Sequence, residues 1–557
     1  MKQIFSKNRE LKLAYHWREH AVAWLPLLIV ILIIPASFIN LGMFPLLADE
    51  PIRGLVSLEM MLNKEYFSTT MSGETYLNKP PLFNWVLIGL SKITGTMDEL
   101  TIRLGAVLPL LAFMALIFVW FKRHMSVQVA MLTSLAMFTN FRVLLYDLTL
   151  GHIDFLFSLV VFLGFLVLYE FGTRRKWYPM FLLLYTLLIP GFLLKGLPAP
   201  VFLVFSLAGL AWQLKQFKFL IHPAHFLGVA VFMLAMLGYG FMYSQTNDLS
   251  DLLRRFWTES SQRTVLEKSW IDSLLYIPAF PLEYFIHLLP WTLLALAMFR
   301  RDFLKVLKQH PFVHFLSIQL VFNVLVYWLS PDTRPRYIFV LFPLVFGLLF
   351  YFWFLPQPGF LEKWKRRVNS ALFFLIALVT FSHIVGLFFP AYLSEYGLSL
   401  FSAGLLLACL AFAYKSLFWH TLVGLNLALV VLRISFNTVV VPYRMNNAPE
   451  PLYKQAGVEV GQLTKGANLY VPTYAWIKEI HAFYITKERN APLIRETEFS
   501  GKDGYLLTPK RLAYSKAGDA LYEFKIENSP YVLIKLNPAD LLMDDRIRIS
   551  RKYRPGS

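Results

Sequence analysis

The sequence predicts an all-α polytopic membrane protein of about thirteen transmembrane helices, followed by a small extracytoplasmic α/β domain at its C-terminal end. Three observations predict it. Of 557 residues, 57% are hydrophobic and only 16% are charged, less charge than a soluble chain of this length needs to cover its surface. Apolar stretches of about 20 residues, each long enough to cross about 30 Å of hydrocarbon, recur from Trp24 to Val441. After Pro442 the apolar runs become short and alternate with charge, the pattern of a half-buried strand rather than a span.

The first apolar run, Ala21 to Leu41, follows Lys2, Lys7, Arg9, Lys12 and Arg18. It is too long for a signal-peptide core and no small-residue cleavage site follows it, so it reads as the first anchor with its basic flank inside. Residues 43 to about 100 form a mixed outer loop containing a short apolar piece, Leu82 to Leu90. That piece is too short to span and reads as interfacial or re-entrant. The choice fixes the parity of every later span. With it, Lys122-Arg123-His124, Arg174-Arg175-Lys176, Lys215 with Lys218, Arg300-Arg301, Lys363 with Lys365-Arg366-Arg367, and Lys415 all lie on the cytoplasmic side, as the positive-inside rule requires. A full span would place the loops after it outside.

A second large outer loop is expected at about 244–283, and the division is a membrane domain over 1–441 and a soluble domain over 442–557. In the latter, strands are expected at Asn468–Pro472 and Tyr531–Lys535, with a helix over Trp476–Tyr484. The net charge of +18 belongs to topology and to anionic lipid headgroups, not to nucleic acid. The one cysteine, Cys409, stands in an apolar run, so neither an intrachain disulfide nor a cysteine metal motif is available.

The informative charges are those on the outer side, where an ionisable group near membrane depth is costly unless paired or functional. Asp49 and Glu50 follow an apolar stretch, with Arg53 just beyond and Asn78-Lys79-Pro80-Pro81 closing the same loop. Taken singly, the acids could cap a helix and Lys79 could snorkel. Asp147, His152 and Asp154 sit together before the next span; on one helix, acids seven apart would share a face. Lys195 is isolated among apolar residues, so it must reach water or an anion. The last group is Arg254, Arg255, Glu259, Gln262 and Arg263, with the tip Ser330-Pro331-Asp332-Thr333-Arg334-Pro335-Arg336-Tyr337. Together, cations from separate outer segments beside a few carboxylates describe a pocket for a phosphate-bearing substrate, with acids able to handle a hydroxyl proton.

In order and spacing these residues resemble the aminoarabinose-lipid A transferases and the protein O-mannosyltransferases, both of the GT-C glycosyltransferase superfamily. The resemblance rests on Ala48-Asp49-Glu50-Pro51, Asn78-Lys79-Pro80-Pro81-Leu82-Phe83-Asn84-Trp85, His152-Ile153-Asp154-Phe155, Leu194-Lys195-Gly196, Glu259-Ser260-Ser261-Gln262-Arg263-Thr264, Pro290-Trp291 and Arg334-Pro335-Arg336-Tyr337-Ile338. Each piece is weak alone; the ordered set is fairly specific. It implies an inverting transfer of sugar from a polyprenyl-phosphate donor to an envelope acceptor: lipid A or a related glycolipid, a protein hydroxyl, or a glycan. It also implies residence in a bacterial inner membrane, a cytoplasmic N-terminus and a periplasmic tail domain. Asp49, by this resemblance, would activate or orient the acceptor, with Glu50 and the second-loop acid Asp154 as further catalytic candidates. Lys79, Lys195, Arg263 and Tyr337 would line the donor phosphate, joined by Arg53, Arg334 and Arg336, with Asn78, Glu259 and His152 around the acceptor. No cofactor is obligatory; a divalent metal near His152 would be incidental. Asn78 stands where the aminoarabinose transferases carry Glu, which puts an amino-sugar donor in doubt. The rival readings are a lipid or glycolipid transporter or flippase, expected to show half-repeats and midplane charges, and a ligase that moves a whole glycan.

Overall fold

The computed structural model describes residues 24–251, 254, 270–328, 334–386, 388, 402, 404–407, 418–497, 499, 502–512 and 520–536. Among these residues, nine helices are long and apolar enough to cross a membrane. A tenth results if Tyr276–His287 and Trp291–Met298, bent by 117°, count as one span. Trp24–Phe38 and Pro198–Leu214 are shorter apolar helices. The short piece of the first outer loop is a helix, Leu82–Thr94, about 20 Å long at about 1.5 Å per residue, too short to cross upright. Glu99–Phe121 then forms the next long helix, capped by the Asp98 carboxylate, which accepts from the Thr101 amide at 2.9 Å. The chain is a multi-pass helical membrane protein.

The chain divides into two compact units, one formed by Met1–Glu50 with Leu77–Ala448 and the other by Pro51–Tyr76 with the tail from Pro449. In the first unit the helices pack through aromatic side chains. Trp120 makes edge contacts with Phe162 and Phe312, at ring-centre distances of 5.3 and 5.0 Å. At the end of this cluster Glu170 accepts from the Trp120 indole at 3.0 Å, meets the His124 ring at 2.8 Å and pairs with Arg174 at 3.1 Å. The basic loops expected on the cytoplasmic side therefore share an anchoring acid.

The second unit holds a hairpin, β1 (Thr70–Met71) and β2 (Glu74–Thr75), and five tail strands: β3 (Leu469–Pro472), β4 (Ile494–Glu496), β5 (Gly504–Pro509), β6 (Ala520–Ile526) and β7 (Ser529–Leu536). The tail sheet runs β4-β3-β5-β7-β6, parallel between β4, β3 and β5 and antiparallel through β7 and β6. The strands expected near 468–472 and 531–535 are β3 and β7. The helix expected from Trp476 begins later, at Glu479, and ends at Arg489; the Tyr531 hydroxyl holds the intervening turn by donating to the Trp476 carbonyl. The first-loop segment belongs to this unit: the Arg495 guanidinium donates to the Ser72 carbonyl at 3.2 Å.

His481, in the tail helix, is 0% exposed and lies against the Tyr453 and Phe524 rings. Neither ring nitrogen has a hydrogen-bond partner. Burial, helped by Lys478, pushes the imidazole down to about 4 from its ordinary 6.5. The unfolded chain thus takes up a proton between those values that the folded one refuses, so stability rises with pH through this window and levels off above it. Hydrogen exchange of the β3 amides should therefore speed up as pH falls from 7 towards 4, after correction for intrinsic rates. His481→Phe, which removes two orphaned polar atoms, should flatten that dependence and slow exchange at all pH values. An unchanged pH slope in the variant would locate the titrating group elsewhere.

Candidate active site

Helix ends position the site. Asp154 opens the helix Asp154–Val167 and Lys195 closes the neighbouring helix Trp177–Lys195. Each end suits its charge, because the helix dipole favours acids at the start and bases at the finish. Gly196, with φ 72° and ψ −131°, turns the chain sharply after Lys195, a conformation glycine adopts without steric penalty. Pro198 begins the next helix. Arg336 and Tyr337 lie in the 3-10 turn Pro335–Leu341, which leads into Phe342–Phe354. Directly behind the charges, Phe155 stacks on Phe339 at 4.8 Å.

These ends bring together a cluster of three cations and two carboxylates. The Lys195 ammonium donates to one oxygen of Asp154, and Arg336 Nε lies 3.3 Å from the other. Arg336 also donates through Nη2 to Asp49, while Arg334 stands 3.8 Å from the second Asp49 oxygen. Rings flank the ammonium group of Lys195, Phe157 at 4.7 Å and Tyr337 at 4.5 Å, in range of cation–π attraction. His152 is buried beside Arg336, with Nε2 to Nη1 at 3.4 Å. Burial and the adjacent guanidinium hold its imidazole well below the ordinary value, hence neutral at physiological pH. Exposure separates the two acids: the Asp154 side chain is 2% exposed and that of Asp49 34%. Asp154 spans two cations in a dry setting, and Asp49 is the acid that solvent or a second substrate can reach.

Asp49 is held by a tight turn. Ala48 adopts the left-handed conformation at φ 51°, uncommon for a residue with a Cβ and of the kind found at functional sites. Glu50 closes the turn, its carboxylate accepting from the Leu47 amide at 2.7 Å. The same carboxylate takes a two-pronged bond from Arg103, at 2.9 and 3.1 Å, and the Gly151 amide at 2.7 Å. Arg103 further donates to the Leu41, Phe44 and Pro45 carbonyls. Glu50, expected beside Asp49 as a catalytic candidate, is thus fully buried and occupied as a brace between the turn and the His152 loop.

Gly151 sits where a Cβ would come within 2.6 Å of Ile102 Cγ2 and 2.8 Å of its carbonyl oxygen. Gly151→Ala should displace the loop carrying His152 and weaken the Glu50 contact, lowering activity at least about tenfold, the result of a sub-ångström misplacement of positioned groups. A variant with wild-type turnover would show that this loop can shift without consequence.

Other expectations fall elsewhere. Asp147 and Asp154 do not share a helical face, because the chain breaks between them: a short 3-10 turn, Asp147–Thr149, precedes an extended Leu150. Asp147 pairs instead with Arg142, at 2.6 and 3.2 Å; burial pushes its carboxyl up to about 7, with Arg142 opposing the shift. Arg53 lies in the second unit, where it donates to the Tyr76 hydroxyl at 3.4 Å. Lys79 is half-buried and Asn78 exposed, just ahead of Leu82–Thr94. Glu259 and Arg263 lie outside the described residues. Among those described, no group of three or more His, Cys, Asp or Glu side chains is arranged to hold a metal ion. Arg103 was not anticipated, although a lone arginine opening an apolar span is the same signal that marks Lys195.

No family model matches the chain, and no curated protein matches it. Among solved structures it is similar to a crystal structure of ArnT from Cupriavidus metallidurans in the apo state, with 15% identity and a TM-score of 0.63 over 94% of this chain and 99% of that one. It is also similar to a crystal structure of ArnT from the same organism bound to undecaprenyl phosphate, with 16% identity and a TM-score of 0.63 over 92% of this chain and 98% of that one. At such identity the likeness concerns architecture, and on that ground the chain has the fold of ArnT.

Proposed function

We propose that the protein is an inverting glycosyltransferase that moves a sugar from a polyprenyl-phosphate donor to an envelope acceptor on the outer face of a bacterial inner membrane. The observation that carries this reading is the convergence of Lys195, Arg334 and Arg336 on Asp49 and Asp154 within a fold shared with ArnT, one of whose structures holds undecaprenyl phosphate. A lipid phosphate is already a good leaving group. The site needs only to neutralise its charge as the sugar–phosphate bond breaks and to hold the attacking oxygen in line.

In this reading the acceptor oxygen bonds to the anomeric carbon while the bonding electrons leave with the phosphate. Arg336 and Lys195 then exchange part of their pairing with Asp154 for the phosphate oxygens, with Lys79, Arg263 and Tyr337 completing the phosphate site. Asp49 takes the proton of a hydroxyl acceptor; a phosphate acceptor, already anionic, would need Asp49 only for orientation. No metal is required, because guanidinium and ammonium groups supply the positive charge.

The test is a comparison of lipid A, surface proteins and envelope glycans by mass spectrometry from cells with the wild-type chain and with Arg336→Gln. A sugar-sized mass present only with the wild type is expected on one acceptor class. Identical envelopes, together with normal production of both proteins, would remove the transferase reading.

A further inference from the structure

A second cationic pocket lies in the first unit, apart from the Asp49 cluster. Arg433 belongs to the long helix His420–Asn447 and is 2% exposed. Its Nη1 donates to the Leu144 carbonyl at 2.7 Å and its guanidinium lies 5.0 Å from the Phe436 ring centre. Its Nε is buried without a hydrogen-bond partner. Arg444, on the same helix, is half-buried with its guanidinium 4.6 Å from the Phe44 ring. Both border a small, partly open cleft, which Asn40, Asn437 and Thr149 also line. The third arginine at its wall, Arg103, is neutralised by Glu50. Among the described residues neither Arg433 nor Arg444 has a carboxylate partner.

A guanidinium stripped of water and left without an anion is among the costliest groups to bury, so such residues commonly mark an anion's place. The walls are braced to hold it. The Asn40 amide donates to the Asn437 carbonyl and the Asn437 amide to the Ala36 carbonyl, both at 2.9 Å, tying the end of the first helix to the helix that carries Arg433. Asn437 falls in the π-helical turn Phe436–Val440, an irregularity frequent at functional positions. The rest of the lining is apolar, with Ile39, Leu41, Leu47 and Val441. The charge pattern puts the Arg444 end of this helix towards the outer membrane edge, where phosphate headgroups lie, with Arg433 about 16 Å deeper along it.

We propose that Arg433 and Arg444 form a second anion site that takes the phosphate of a lipid headgroup, separate from the site proposed for the donor phosphate. Two guanidinium forks suit phosphate oxygens. None of the residues given roles in sugar transfer takes part.

Thermal unfolding of the full-length protein in neutral detergent tests it, with phosphatidylglycerol, phosphatidylcholine, inorganic phosphate or undecaprenyl phosphate added to wild type, Arg444→Gln, Arg433→Gln and Arg336→Gln. Phosphatidylglycerol is expected to raise the midpoint saturably in wild type and Arg336→Gln, with its half-saturation shifted at least about tenfold upward in Arg444→Gln, the loss of one charge-assisted contact. Should Arg433→Gln fail to fold, Arg444→Gln decides alone. An Arg444→Gln response equal to wild type overturns the site, and so does an equal response to phosphatidylcholine. An equal shift with inorganic phosphate overturns the lipid assignment. Undecaprenyl phosphate stabilisation that weakens in Arg444→Gln and not in Arg336→Gln would also overturn it, since the two sites would then be one. Stabilisation by undecaprenyl phosphate that both Arg336→Gln and Arg444→Gln leave intact, with the phosphatidylglycerol results as expected, counts against the transferase reading alone.

Discussion

Asp49→Asn is expected to lower transfer to a hydroxyl acceptor by about 10²–10⁴-fold, the range that one positioned general base supplies. The amide keeps the size of the carboxylate and can still accept from Arg336, so the turn at Ala48 and the neighbouring cations should stay in place. It cannot take the acceptor's proton. Because the change also removes a negative charge beside Arg336 and Arg334, affinity for undecaprenyl phosphate should hold or rise while turnover falls. That split identifies a base; a merely structural role would weaken both. Turnover is read as release of polyprenyl phosphate at saturating donor, and a rate within tenfold of wild type would take Asp49 out of proton transfer.

The second large effect concerns Arg336, the group that joins the two acids. Arg336→Leu takes a guanidinium away from both acids, Asp154, which keeps its pairing with Lys195, and Asp49, which keeps the longer contact to Arg334. Removing one partner from a buried charge pair costs about 3–5 kcal/mol, because the remaining charge stays desolvated. The variant should therefore melt several degrees lower and lose undecaprenyl phosphate binding. Arg336→Lys restores the charge but not the fork that reaches both carboxylates, so it should recover much of the stability and little of the binding. Wild-type affinity in Arg336→Leu would mean that the phosphate is held elsewhere.

How much of this was legible follows from the physics of each signal. Spans could be read because hydrocarbon imposes length and apolarity locally. Asp154, Lys195 and Arg336 stood out because each sits where an apolar span begins or ends. Their mutual pairing could not be read, since it joins residues as far apart as Asp49 and Arg336. The same distance hid the Arg103–Glu50 pair, and with it the different fates of two adjacent acids: on a turn, neighbouring side chains point apart, so Asp49 faces the cluster and Glu50 the packing beneath. A shared face for Asp147 and Asp154 presumed a continuous helix, and the break at Leu150 separated them. Arg433 carried a readable signal, a cation within a span, but nothing nearby in sequence says whether it is neutralised. The family resemblance added what residue types alone could not, an ordered set of loops, and the fold agrees with it.

The second unit is assembled from two stretches of chain separated by almost four hundred residues, Pro51–Tyr76 and the part from Pro449 onward. It is therefore not an appendage that can be cut off or exchanged at one junction. A truncation after Ala448 would strand the hairpin that Arg495 secures through Ser72, in the segment that begins one residue beyond Glu50. Inactivity of such a truncate would say nothing about what the tail recognises. A graft from a relative would have to bring both pieces, and substitutions in either would be constrained by the other.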